Sequence, residues 1–362
     1  MKKLKKPKKL RLSKSLPRPF KRKKPTEEKV TEALNTVPRI TNETVAEHRE
    51  EVLSSARKFI YPLQHSKHKV VKTSAAIFIV VLIGFFVYVG LSLYKFQSTN
   101  GFIYAVTKVI PFPIAKAGDS WVSYESYLFE LRRNMHYYET QQRTDFASKS
   151  GKTQLDLLQK QAMAQVIQDA YVKQLAEANG VSVSTQAVNN QVAVVRSENR
   201  LGNNERVFNE VLNQFWGWNQ NDFKRELKQQ LLQQAVVAKL DTQTNEQAQS
   251  ALKQLQGGAD FATVAKAQSE DLNTKASGGQ YPAPITATTR DVSPIVTASL
   301  FKLKPGQVSA LINTGYTLEI VKVMDTKPGS VTASHIQFVF LPIDKFIQPL
   351  KKANPPQTFV KL

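Results

Sequence analysis

The 362-residue sequence predicts a single-pass membrane protein whose part beyond the membrane is all-α first and α+β second. Three observations predict this. Residues 73 to 94 run 22 positions without a charge. From Ala117 to about Leu240, apolar side chains recur at three- and four-residue spacings, the mark of amphipathic helices. From Thr242 onward, short helical patterns alternate with Gly/Pro loops and β-rich runs, which suits a small antiparallel sheet.

Residues 1 to 68 form the first segment, a Lys/Arg/Pro-rich arm expected to stay disordered because it cannot bury enough apolar surface to offset its ordering entropy. Within it, residues 42 to 60 carry a short helical pattern with Asn42 as the cap. Such an arm suits an anionic lipid surface, at about 1 kcal/mol per basic residue near it. A nucleic-acid or ribosome contact is the rival, but a charge run carries no specific nucleic-acid signal. The uncharged run spans about 33 Å as a helix, enough for a hydrocarbon core of about 30 Å. It is too long, and starts too late, for a cleaved signal peptide. Transmembrane residues 72–95 therefore remain as an anchor in the bilayer. Residues 1 to 72 hold 21 Lys and Arg against 7 Glu, and the rest 29 against 22 acidic residues. The positive-inside rule then places the N-terminus in the cytoplasm and the remainder outside the cell membrane. The chain has no cysteine, which excludes disulfides, thiolate nucleophiles and Cys-held metals.

Residues 96–240 read as a helical domain. A cap at Ser120 or Ser123 opens one helix, and Leu157, Leu158, Ala162, Val166, Ile167, Ala170, Tyr171 and Leu175 stripe a second that stops at Asn179-Gly180. A third begins behind Ser184, and two more follow. Trp216 and Trp218 flank Gly217 and read as buried packing, with a peptide-contacting patch as the alternative. Residues 241–341 read as the α+β domain: helices at 247–258 and from Asp260, a loop over 272–293, and a short helix over about 296–303. Strands follow over 308–313, 316–324 and 332–341, and residues 342–362, with four prolines, read as an irregular tail.

Gly258, Asp260, Phe261, Ala265, Ser269, Asp271, Gly278 and Gly279, followed by Phe301, Leu303, Gly306, Val308, Ser309, Gly315 and Tyr316, keep the order and spacing of the parvulin family of peptidyl-prolyl isomerases, which this stretch resembles. The helices over roughly 150 to 240 resemble the chaperone domain of SurA- and PrsA-type foldases. The resemblance implies a foldase that binds newly exported, unfolded polypeptides and isomerises X-Pro bonds. Those bonds cross a barrier of about 18–20 kcal/mol and take tens to hundreds of seconds unaided. No cofactor or metal is implied.

Parvulins work without covalent chemistry, so the residues that matter shape a slot for the proline ring. The family's acidic or Cys position falls on Asp271, for which a turn or helix-end role is the plain alternative. Its Met and Phe positions fall on Val292 and Val296, smaller residues that imply a looser slot. Phe301 and Tyr281 complete the candidate substrate-binding set. One family histidine is replaced by Thr317. The strand carrying the other is absent ahead of residue 247, yet Ala333-Ser334-His335-Ile336 matches it, displaced to the C-terminal side. Asp271, His335 and Thr317 are thus the candidate catalytic set. Either the domain is circularly permuted, with 332–341 returning as a hairpin partner of 316–324, or residues 331–362 are the stump of a second repeat. A chaperone with a degenerate, non-catalytic parvulin domain is the main functional alternative. An adaptor tethering a cytoplasmic polyanion is the third. No Gly-rich phosphate loop or Ser-His-Asp set supports a nucleotide-binding or hydrolytic reading.

Overall fold

In the computed structural model, residues 27, 31, 41–60, 63–198 and 204–362 are described, and the chain divides after Gly84 into two units. Most of the basic arm, whose disorder the sequence predicts, lies outside the described residues. Residues 42–60 form the helix their pattern predicts (α1, Asn42–Ile60), opened by Thr41 and not Asn42: the Thr44 N–H faces the Thr41 hydroxyl at 3.4 Å. Helix α2 (Leu63–Gly90) carries the uncharged run and ends in a wider π turn over Leu91–Lys95. Among the described residues, it is the one helix long and apolar enough to cross a membrane.

The second unit begins with a short helix, α3 (Gly101–Val109), and a pair of strands the sequence reading missed, β1 (Pro113–Ala117) and β2 (Ser120–Ser123). In β1 the adjacent Ile114 and Ala115 are both buried, so the strand shows no period of two. Ser123, the second of the two candidate caps, opens α4 (Tyr124–Thr140) by accepting from the Ser126 N–H. The long helix α5 (Lys149–Ala178) stops at Asn179-Gly180 as expected. Helices α6 (Thr185–Glu198), α7 (Glu205–Trp216) and α8 (Gln220–Leu240) follow, the first behind Ser184 and the last behind a reciprocal Asn219/Asp222 capping box. The apolar stripes of α4 and α5 meet in a core around Tyr124, Tyr127, Leu128, Leu158, Val166 and Tyr171, and those of α6, α7 and the start of α8 in a second around Phe129, Val192, Phe208 and Leu212. Trp218 is buried, its ring stacked 5.3 Å from Phe129, so packing is its role; Trp216 is half-buried beside it.

Helices α9 (Thr242–Gln256), α10 (Phe261–Gln268) and α11 (Leu272–Lys275) lead into a four-stranded sheet. It consists of β3 (Ile285–Thr286), β4 (Ile312–Asn313), β5 (Thr317–Lys327) and β6 (Ser330–Val339), with α12 (Pro294–Leu300) before β4. The strand expected over 308–313 shrinks to β4, with Val308 contributing a single bridge to Lys322. The order is β3-β6-β5-β4, so β6 is an inner strand. It pairs antiparallel with β5 from Lys327↔Ser330 to Thr317↔Val339, around a turn where Gly329 takes a φ of 77°. That is the hairpin the permuted arrangement requires.

Alternation along this hairpin divides its side chains. Leu318, Ile320, Ile336 and Phe338 face α9 and α10 and join the core of the helical part. Thr317, Glu319, Val321, Ala333 and His335 point to the other face. The tail is not irregular: α13 (Asp344–Ala353) and β7 (Gln357–Thr358) return to the helical part, where β7 pairs with β1 and the Tyr171 hydroxyl donates to the Asn354 carbonyl at 2.7 Å. Ile347 and Val360 are buried there. Its prolines misled the reading, because Pro349 sits inside α13 and the other three fall outside it.

Candidate active site

Helix α10 is capped by Asp260, which accepts from the Thr263 N–H at 2.8 Å, and it delivers the chain to Ser269, which has no exposed surface. There the backbone is fastened to β6: the Glu270 N–H donates to the Gln337 carbonyl at 2.8 Å and the Gln337 N–H to the Ser269 hydroxyl at 3.2 Å. This places the next residue, Asp271, beside the middle of β6. Its carboxylate opens α11 by accepting from the Asn273 N–H at 3.1 Å and also takes the Thr274 hydroxyl at 2.5 Å. The turn role and the site role therefore coincide in one side chain.

On the other side, the chain runs through Gly278-Gly279 against β6. The His335 N–H donates to the Gly279 carbonyl at 2.8 Å and the Tyr281 N–H to the Ala333 carbonyl at 3.0 Å. Gly279 has a φ of 80°, and a Cβ there would stand 2.1 Å from the His335 carbonyl oxygen. Only glycine permits both the backbone conformation and the approach.

His335 lies at the centre, 5% exposed. Its Nε2–H faces Asp271 Oδ2 at 2.9 Å, with the Thr274 hydroxyl also at 2.9 Å, and its Nδ1–H faces Glu319 Oε2 at 3.2 Å. Both neighbours are acceptors, which assigns a proton to each ring nitrogen. Burial pushes the imidazole pKa down, but the hydrogen bonds and charges of Glu319 and Asp271 outweigh it and the net shift is upward. Burial likewise pushes Asp271 up, and its bonds from Thr274, Asn273 and His335 carry it below the usual carboxylate range. His335 is thus held between the side chains of Asp271 and Glu319, which favour its protonated form.

Thr317, the third candidate, does not touch His335. Its hydroxyl donates to Glu319 Oε1 at 3.2 Å and pairs with Thr314 at 2.7 Å, so it joins the network one residue removed. Glu319 itself was missed. The signal was present: an acid inside an apolar strand, on the same face as Thr317, is costly to bury unless paired.

Beside this polar strip lies an apolar cluster of Tyr281, Ile285, Val292, Val296, Leu300, Ile312, Val321, Val323, Val331 and Ala333. Three of the four candidate substrate-binding residues are in it. Val292 is 7% exposed and Val296 has no exposed surface, so the smaller side chains leave no open slot at these positions. The Tyr281 ring stacks on His335 with centroids 4.4 Å apart, joining the two halves. Phe301 is 42% exposed and stands outside the cluster. Among the described residues, no group of three or more His, Asp and Glu side chains is arranged to hold a metal ion. The arrangement supplies a desolvated polar strip against a filled apolar cluster.

Two family models match the chain. One, described as the PPIC-type PPIASE domain, covers residues 230–325, and one described as the SurA-like N-terminal domain covers residues 63–237. The first ends before β6, so His335 lies beyond it. No curated protein matches the chain. Among solved structures, foldase protein PrsA from Streptococcus pneumoniae str. Canada MDR_19A is 19% identical over 52% of this chain and 75% of its own, with a TM-score of 0.17.

Proposed function

With a SurA-like N-terminal domain and a parvulin-type isomerase domain in one chain, this protein belongs to the PrsA/SurA-type parvulin foldases, and we propose that it acts as a membrane-anchored, extracytoplasmic foldase. It would bind exported, unfolded polypeptides and speed cis-trans isomerisation of their X-Pro bonds. Residues 73–94 would cross the cell membrane once with the basic arm inside, and residues 96–240 and 241–341 would serve as the chaperone and isomerase domains of a circularly permuted parvulin. Support for the isomerase reading comes above all from one observation. Asp271 and His335, 64 residues apart, meet at 2.9 Å beside the apolar cluster of Val292, Val296 and Tyr281.

In this reading the charged strip fixes one wall of the site and the apolar cluster the other. A prolyl peptide between them is stripped of water, and the twisted amide, with its reduced dipole, is held better than either planar form. Asp271, Thr317 and Glu319 are positioning residues that hold the His335 ring, and Tyr281, Val292 and Val296 would meet the proline ring only once the filled cluster opens. Full burial of Val296 favours a second reading, a chaperone whose isomerase slot is closed.

Isomerisation of a set of X-Pro peptides by the purified full chain separates the two. Activity that falls in both Asp271→Ala and His335→Ala sustains the isomerase. No activity, with aggregation of unfolded proteins still suppressed, sustains the chaperone alone.

A further inference from the structure

The apolar helix does not end before the folded part begins. Val89 and Leu93 have no exposed surface and lie in one core with Ile103, Ile114 and Tyr124. The Tyr94 hydroxyl donates to the Pro113 carbonyl at 2.6 Å and the Tyr124 hydroxyl to the Leu93 carbonyl at 2.6 Å. Arg132 binds the Thr99 carbonyl, and the Gln97 amide donates to the Lys361 carbonyl at 2.7 Å. Residues 93–99 are therefore fastened to the folded part and cannot serve as a flexible linker.

This has a consequence in length. Between Lys72 and Val89 the helix rises only about 25 Å, short of a hydrocarbon core of about 30 Å. If the helix crosses, the folded part must close the difference with its own surface. The surface next to the helix end is suited to that. Leu91 and Phe96 are exposed on it, and α3 begins within about 20 Å of chain from Lys95. Along α3, Ile103 and Thr107 face inward while Phe102, Ala105 and Val109 face out, Phe102 58% and Val109 82% exposed. An outward helix face is ordinarily polar, so this one lacks a partner. Lys95 and Lys108 flank the apolar residues, their ammoniums lying over the Phe96 and Tyr104 rings at 5.7 and 4.3 Å.

We propose that α3, with Leu91 and Phe96, is a second membrane contact: its outer face lies in the boundary between headgroups and acyl chains of the leaflet from which α2 emerges, and seats the foldase directly on the bilayer. The proposal rests on reading α2 as a membrane span. It commits to lipid because the chain length and the buried helix end hold this face at the bilayer surface.

Because the chain has no cysteine, single substitutions Leu82→Cys, Phe102→Cys, Val109→Cys and Leu272→Cys each take one nitroxide label, all at exposed positions. The full-length variants would be reconstituted in phosphatidylethanolamine/phosphatidylglycerol vesicles, and collision with oxygen and with a water-soluble nickel chelate measured. The expected result is an oxygen-to-nickel ratio at 102 and 109 several-fold above that at 272, approaching that at 82. A lipid-like ratio at 82 with 102 and 109 matching 272 would overturn the docking while the span stands. An aqueous ratio at 82 would remove the span and the docking with it. Spin–spin broadening at 102, lost on dilution with unlabelled protein, would assign the face to a second copy of the chain and also overturn the proposal.

Discussion

Replacing His335 by alanine should do more than remove a ring. It leaves the carboxylates of Asp271 and Glu319, with side chains only 16% and 8% exposed, facing the same space without a cation. Breaking a buried ion pair from one side costs about 3–5 kcal/mol. The lost stack on Tyr281 adds about 0.5–1.5 kcal/mol. With a urea slope of about 1–3 kcal/mol per molar, the midpoint should fall by roughly 1–6 M at neutral pH. The pH dependence carries the argument. His335 has a raised pKa, so its contribution is fully present below the ordinary histidine value and is lost as pH rises through the raised one. Asp271 has a lowered pKa, so its contribution holds above the ordinary carboxylate value and is lost as pH falls through the lowered one. The cost of His335→Ala should therefore be largest between the ordinary carboxylate and ordinary histidine values, and shrink as pH rises through the raised histidine value or falls through the lowered Asp271 value. A second substitution sharpens the test. Glu319→Gln should destabilise the wild type yet stabilise His335→Ala, because it removes one of two unpaired charges. Urea titrations followed by amide exchange in β5 and β6 measure both. A cost independent of pH, together with the same sign for Glu319→Gln in both backgrounds, would refute the charged-triad reasoning.

Three further outcomes are expected. Gly279→Ala should cost about 1–2 kcal/mol for the left-handed backbone alone, plus the clash with the His335 carbonyl, lowering the domain's Tm and its activity together. A chain ending at 329 should lose exchange protection throughout the sheet, because β6 is inner, whereas one ending at 341 should keep the sheet and lose protection around Ile114 and Tyr171. In the helical part, burial, opposed by Arg133 and reinforced by Glu226 and Asp169, pushes Glu130 up to about 8. Burial also raises Asp169 to about 6. Raised acids give stability that is present below their ordinary values and lost as pH rises through the raised ones, so the wild-type Tm should fall from pH 5 to 8. Glu130→Gln should flatten that slope, as a calorimetric pH series would read.

Much of the site was legible because the resemblance rests on local pieces whose physics is local. Asp260 and Asp271 cap helices wherever those helices pack, and Gly278-Gly279 marks a backbone that tolerates no Cβ. The pairing of Asp271 with His335 was legible only by assuming where a displaced strand would go. Glu319 escaped because a strand acid reads as a surface residue until the opposite face is shown to be covered. Phe301, placed in the substrate-binding set by the resemblance, stands 42% exposed outside the apolar cluster, a position that the rotation of α12 decides and no local pattern gives.

By itself, the sequence determined the apolar helix, the succession of amphipathic helices, the hairpin at Pro328-Gly329 and the absence of any thiol chemistry. Each depends on periodicity, caps and turn residues within a few positions of one another. Only the tertiary structure decided that β6 is an inner strand, that Glu319 completes the His335 network, that the slot at Val292 and Val296 is filled, and that the tail and the end of α2 belong to the helical part's core. These depend on which faces meet across tens to hundreds of residues, where burial and the pairing of backbone and charge outweigh local preference.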